Sequence, residues 1–337
     1  MSAPPRLSPL TLLGGVAVIL ATALLVGTFV SLIPQVTGWP GPFVDWRTYE
    51  NAAARLLAGA PIYAPQQLTG PYHLTDMLLI GYAYPPASVP LLIPFQGYPL
   101  GLAAWITVNL GALLTALWAI ASRAWPTYRL LAFALAIAGL AMFPPFLAGM
   151  IAMSTNIGLA GAIGWVAVGL TARQAGVVGG VLAILKVFAG AITFGSPDGK
   201  TKALATAIAV VVAVTLVTLP FVGLQGWLDF GTALTGAVPD CSGFNVSIAC
   251  TLADATGMSL GWGSLVGIAV GGLAVLGMIV CRQPYLLSVL AAIAVMAPAN
   301  NLHIHYWTIG YVIVVASLAR LTLLTRARTP ATAPSAA

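Results

Sequence analysis

Charge is what this sequence has least of. Only 6% of its 337 residues are Asp, Glu, Lys or Arg, about a quarter of the share with which a soluble domain covers its surface. Seven are acids, and only three histidines stand beside them. That scarcity excludes a cytosolic enzyme and a nucleic-acid-binding surface. Cysteine is scarce too, at three residues, which excludes a disulfide-knit secreted module. No Cys or His spacing has the form of a zinc site or a redox pair.

What fills the chain is apolar. Hydrophobic residues make up 60% of it, and its mean hydropathy is +0.99. At roughly 20 residues per bilayer crossing, the length allows many spans and leaves little for a soluble domain. Residues 10–33 and 203–219 are continuously apolar, not alternating, so helices are indicated and a β-barrel is not. Gly (36) and Pro (24) are plentiful, as bundled membrane helices tolerate. No small-residue cleavage site closes the first run, which reads on through Phe29 to Pro34. It is expected to stay as an uncleaved first span. The expected fold is therefore all-α, a polytopic helix bundle forming one transmembrane domain over 1–337.

Apolar runs read against punctuation give about ten spans: 10–33, 84–97, 100–122, 129–147, 154–171, 175–195, 203–222, 261–281, 284–299 and 306–324. The second is short and carries Pro85, Pro86, Pro90 and Pro94, so it is expected to be broken or tilted. An even count puts both termini on one side, and Arg6 with Arg326 and Arg328 makes that side the cytoplasm. Lys200, Lys202, Arg282 and Arg320 then face inward, while Arg47, Arg55, Arg123, Arg129 and Arg173 face outward. Two long loops, 34–83 and 223–260, hold six of the seven acids. Both are expected at the outer face, in the plasma membrane, and the chemistry with them.

In the first loop, Trp46, Tyr49, Ala53, Leu56 and Leu57 recur at helical spacing before Gly59. The pattern predicts a short amphipathic helix lying in the membrane interface, with its aromatics at headgroup depth. Asp45 at its start either caps that helix or does chemistry. Lys186 falls within the 175–195 span. A central Lys costs about 2.5–3.5 kcal/mol there, so it either snorkels to the surface or meets a phosphate. In the second loop Cys241 and Cys250 either bridge or stay free, whereas Cys281 is expected free at the cytoplasmic end. His303 and His305, next to Tyr306-Trp307, are two apart and so do not share a helix face for a metal. They are either an interfacial cluster or hydrogen-bond donors to an anionic leaving group.

The order of these pieces carries a resemblance. Asp45-Trp46-Arg47-x-Tyr49 is followed by Arg55-Leu-Leu-Ala-Gly59 and Pro61-Ile-Tyr63. Tyr84-Pro-Pro86, Asn156, Gly180-x5-Lys186, Asn245-x-Ser247 and the histidine loop come after. Over about residues 10–324 the chain resembles the polyprenyl-phosphate-sugar-dependent membrane glycosyltransferases of family 87, in the C-type superfamily. The resemblance implies transfer of a hexose, usually mannose, from a polyprenyl-phosphate sugar to a glycolipid or glycan acceptor. It implies Asp45 as base, and Lys186, His303, His305 and Arg47 at the donor phosphate. Tyr49, Tyr84 and Asn245 are the expected substrate contacts. No metal and no cofactor beyond the donor substrate is expected; the partners are membrane lipids and the two substrates, not nucleic acid. The family often has a proline shortly after this lysine, where this chain has Val187-Phe188-Ala189. The competing class is a transporter or lipid flippase, since polar residues within spans also mark pathways. An internal repeat would favour it, and the two long loops show no matching motifs.

Overall fold

The computed structural model describes residues 8–36, 41–241, 245–299 and 302–328. Parts of both long loops, the side chain of Arg328, and Arg6 fall outside these. Twelve described α-helices of nine residues or more carry the architecture. They are α1 (Pro9–Leu32), α2 (Val44–Leu57), α3 (Leu100–Ala124), α4 (Arg129–Ala141), α5 (Pro144–Ala152) and α6 (Asn156–Val168). The rest are α7 (Ala172–Leu185), α8 (Lys200–Gly236), α9 (Ile248–Thr256), α10 (Leu260–Val280), α11 (Pro284–Met296) and α12 (Trp307–Arg328).

By length and composition, five helical stretches among the described residues can cross a membrane: Pro9–Gln35, Leu100–Ala124, Lys200–Gly236, Leu260–Val280 and Ile304–Ala327. A sixth forms if α4 and α5, bent by 72° at a short break, count as one. The bend falls at Pro144-Pro145, whose rings cannot continue the preceding ladder. Helices α6, α7 and α11 are apolar but shorter. Thirteen residues rise about 20 Å, against a hydrocarbon core of about 30 Å. The expectation of about ten full-length crossings thus meets five helices of sufficient length, or six with the bent pair.

Two expected spans fold otherwise. Residues 84–97 make only short turns around Pro86–Phe95, where four prolines remove ladder donors. The 175–195 stretch is a hairpin. Helix α7 ends at Lys186, whose backbone is extended (φ −159°, ψ 104°), and Val187–Gly195 returns along α7 as a 3-10 helix. A Cβ at Gly179 would lie 2.2 Å from Thr193 Oγ1, so only glycine lets the two limbs touch. The polar loop expected from 223 also begins later, because α8 resumes past a break at Gly223 and runs to Gly236.

Together the two refolded stretches reverse the expected sidedness of several arginines. Helices α3 and α6 run parallel: Gly158 abuts Asn109, Gly161 abuts Ala112 and Gly164 abuts Ala116. Their ends therefore coincide, and Gly169 lies beside Arg123 and Pro284. Gly199 meets Ala172, Gly14 meets Leu130, and Arg320 bonds Gln283. One end of the molecule thus gathers Arg123, Arg129, Arg173, Lys200, Lys202, Arg282, Arg320 and Arg326, with Asp198 as its acid. The opposite end holds the other six acids. Arg123, Arg129 and Arg173, expected across the membrane from Lys200, share its end.

At the acidic end three connecting segments are knitted together. Tyr72-His73 pairs in parallel with Ala237-Val238, Val246 donates its N–H to Leu302 O at 3.0 Å, and Cys241 is bonded to Cys250. The open question of that pair is answered by a disulfide; Cys281, at the basic end, is free.

Candidate active site

Helix α2 is clamped, not floating. Trp46, Tyr49, Ala52 and Ala53 are its buried face, and Trp46 Nε1 donates to Phe95 O at 3.0 Å. Glu50 Oε1 accepts from Gly97 N at 3.0 Å, and Asn51 Nδ2 donates to Leu79 O at 2.8 Å. Arg55 donates to Ile62 O and Ile80 O. The aromatic face packs on protein, where Trp46 finds the Phe95 carbonyl and Tyr49 the Tyr84 hydroxyl.

Two left-handed joints deliver the polar groups. Phe43 (φ 66°) precedes α2, and Met153 (φ 57°) closes α5. Such non-glycine conformations cost on the order of 1–3 kcal/mol and persist only where surroundings over-determine them. Here Phe43 N–H binds Ile151 O at 2.6 Å, and Trp105 Nε1 binds Met153 O at 2.9 Å. The joints bring Asp45 beside Ser154, whose hydroxyl favours the ionised carboxylate. Ser154 Oγ also accepts from Asn156 N at 3.4 Å. Asn156 Oδ1 in turn receives Lys186 Nζ at 2.8 Å. A polar chain Asp45–Ser154–Asn156–Lys186 results, drawn from α2, the α5–α6 joint and the hairpin tip.

Aromatic rings wall this chain. Lys186 Nζ stands 4.4 Å from the Tyr306 ring centre and 5.9 Å from that of Tyr84, and bonds the Tyr306 hydroxyl. Cation–π contacts of this kind fix an ammonium without neutralising it. Tyr49 and Tyr84 share a hydroxyl bond at 3.2 Å. The void beneath them is only about 10 Å³, too small for more than one water, so the rings form a floor. Asp45 and Lys186 both remain partly exposed above it, within electrostatic reach of each other.

Burial raises the Asp45 pKa above the usual carboxylate value, opposed by the Ser154 bond and by the Lys186 charge. His303 and His305 come to the same place, their rings 5.8 Å apart, with His305 stacked on Tyr306 at 5.4 Å. Burial pushes the His303 pKa down; Lys186 pushes the same way, and Asp240 opposes. At neutral pH this imidazole is uncharged, a hydrogen-bonding group and not a second cation.

The remaining sequence candidates divide. Tyr49 and Tyr84 line the site as described. Arg47 lies exposed on α2, two residues past Asp45. Asn245 is buried: its Oδ1 accepts from Ser247 N and Leu302 N, both at 3.0 Å, and its Nδ2 donates to Asp240 O at 2.7 Å. Those bonds hold the second loop to the segment that carries His303. Sequence reasoning missed Ser154 and Tyr306, and gave Asn156 no role. The signal for Ser154 and Asn156 was the polar run Ser154-Thr155-Asn156 between two apolar stretches; Tyr306 had none. Asn156 Nδ2 is buried without a partner among the described residues.

A family model, glycosyltransferase family 87, matches residues 82–299, about two-thirds of the chain. No curated protein and no solved structure matches.

Proposed function

The chain belongs to glycosyltransferase family 87, and on that premise we propose that this multi-pass membrane glycosyltransferase moves a hexose, mannose in our reading, from a polyprenyl-phosphate sugar to a glycolipid or glycan. The observation that carries the reading is the Asp45–Ser154–Asn156–Lys186 chain. It holds one half-exposed carboxylate and one half-exposed ammonium within electrostatic reach of each other.

Asp45 accepts the proton of the acceptor hydroxyl as that oxygen attacks the anomeric carbon. The bond from that carbon to the phosphate oxygen breaks, polyprenyl phosphate departs, and the configuration inverts. Negative charge grows on the leaving phosphate, so Lys186 stabilises the transition state more than the ground state. The free Asn156 side-chain N–H, the neutral His303 ring and the neighbouring His305 ring supply further donors to the same oxygens. Arg47, at the exposed edge of α2, meets the donor as it enters. Tyr84, half-buried, presents its ring to the sugar and buried Tyr49 holds it from below through their shared hydroxyl bond, while Asn245 acts by holding the His303 segment.

Action at the outer face, in the plasma membrane, is supported by charge. The end opposite Asp45 carries most of the described Lys and Arg, as cytoplasmic ends do, and the disulfide lies at the Asp45 end, as oxidising compartments favour.

The test is transfer from labelled polyprenyl-phosphomannose to a glycolipid extract by membranes holding the protein. Asp45→Asn is expected to lose about 10²-fold or more, the scale of general-base catalysis. Equal transfer by wild type and Asp45→Asn removes the base assignment. Absence of transfer from every polyprenyl-phosphate sugar removes the donor class.

A further inference from the structure

A cavity of about 280 Å³ lies at the basic end, far from Asp45. Its walls are apolar, formed by Ile120, Val168, Ala316 and Leu323 among others, and two guanidiniums, Arg123 and Arg320, border it. Arg320 is oriented: Nη2 donates to Gln283 Oε1 at 2.8 Å, and the group sits 5.5 Å over the Tyr285 ring. Tyr285 is in turn fixed by Ser317 at 2.9 Å. Arg123 is exposed and makes no hydrogen bond or ion pair among the described residues. None of the chain's acids lines the cavity.

We propose that this cavity binds an anionic phospholipid, with its phosphate between Arg123 and Arg320 and one acyl chain along the apolar wall. Two cations with no carboxylate between them complement a phosphate. The lining favours a lipid over a soluble phosphate, because Leu323 and Leu324 are exposed and continue the apolar wall onto the bundle's outer surface. Basic pockets between membrane helices recognise lipid headgroups by the same physics. The site lies across the molecule from the proposed chemistry and does not depend on it.

The test is native mass spectrometry of the detergent-purified full chain, titrated with phosphatidylglycerol, with phosphatidylcholine of the same acyl chains, and with glycerol 3-phosphate. One retained phosphatidylglycerol is expected, held more tightly than phosphatidylcholine and not displaced by glycerol 3-phosphate. Arg123→Gln and Arg320→Gln should each weaken it about fivefold, the factor that ~1 kcal/mol per basic group gives. Arg123 carries no internal bond, so Arg123→Gln stays decisive even if Arg320→Gln folds poorly. Unchanged phosphatidylglycerol binding by Arg123→Gln, equal binding of phosphatidylcholine, or displacement by glycerol 3-phosphate would each overturn the proposal.

Discussion

Asp45 works against its own surroundings. Burial raises its pKa, and the Ser154 bond and Lys186 charge recover part of the cost. A base must be ionised, so the acid limb of the kcat/KM profile is expected above the ordinary carboxylate range, with activity lost as pH falls through the raised value. The same shift has a sign for stability. A folded pKa above the unfolded one means that the native state binds the proton more tightly. Stability therefore grows as pH drops through the folded pKa, and at neutral pH the ionised carboxylate is a burden. Asp45→Asn should accordingly melt higher than wild type at pH 7, by a margin that narrows toward acid pH. A melting curve below wild type at every pH would refute the burden.

Lys186 gives a complementary prediction. Its ammonium is held by Asn156 Oδ1 and the Tyr306 ring, both neutral partners, which leaves its charge for the donor. Lys186→Met should express normally and raise the donor KM while lowering kcat; unchanged donor kinetics would remove the phosphate role. Both residues were legible in the sequence because charge is so rare there that each instance needs a reason. Ser154 and Tyr306 were not, since a three-residue polar run at a helix joint and one more tyrosine do not say what they face. Only the fold brings them to Asp45 and Lys186.

At the scale of elements, the informative discrepancy is the hairpin. Residues 175–195 are apolar enough to read as a single span, and periodicity cannot register a reversal that costs one extended residue. The glycines hold the clue: Gly176, Gly179 and Gly180 let α8 and the returning 3-10 limb approach α7 closely. A methyl at Gly179 would meet Thr193 Oγ1 at 2.2 Å and Thr193 N at 2.4 Å. The limb must then shift, and backbone cannot yield as a side-chain tip does. Gly179→Ala is expected to destabilise by about 1–3 kcal/mol and to impair donor use by moving Lys186 off Asn156. Gly272→Ala, which meets open space on α10, is the control and should leave both unchanged. If the two variants behave alike, the hairpin contact is not what positions the lysine.

The whole molecule is sorted by charge. Read as uninterrupted crossings, the sequence puts Arg123, Arg129 and Arg173 outside, and the basic residues then discriminate poorly between faces. Folding 84–97 as turns and 175–195 as a hairpin moves all three to the end that holds Lys200, Arg282 and Arg320. The free Cys281 lies at that end and the Cys241–Cys250 bridge at the other, so thiol state and charge agree on polarity. Accessibility labelling separates the two arrangements. In a Cys281→Ser background, single cysteines replace exposed Arg173, Lys202 and Asp76, and intact cells receive a membrane-impermeant maleimide. Asp76→Cys is expected to label in intact cells, and Arg173→Cys and Lys202→Cys only after permeabilisation. Labelling of Arg173→Cys together with Asp76→Cys would restore the uninterrupted crossing order and, with it, take Lys186 away from the tip of a hairpin and return it to mid-span.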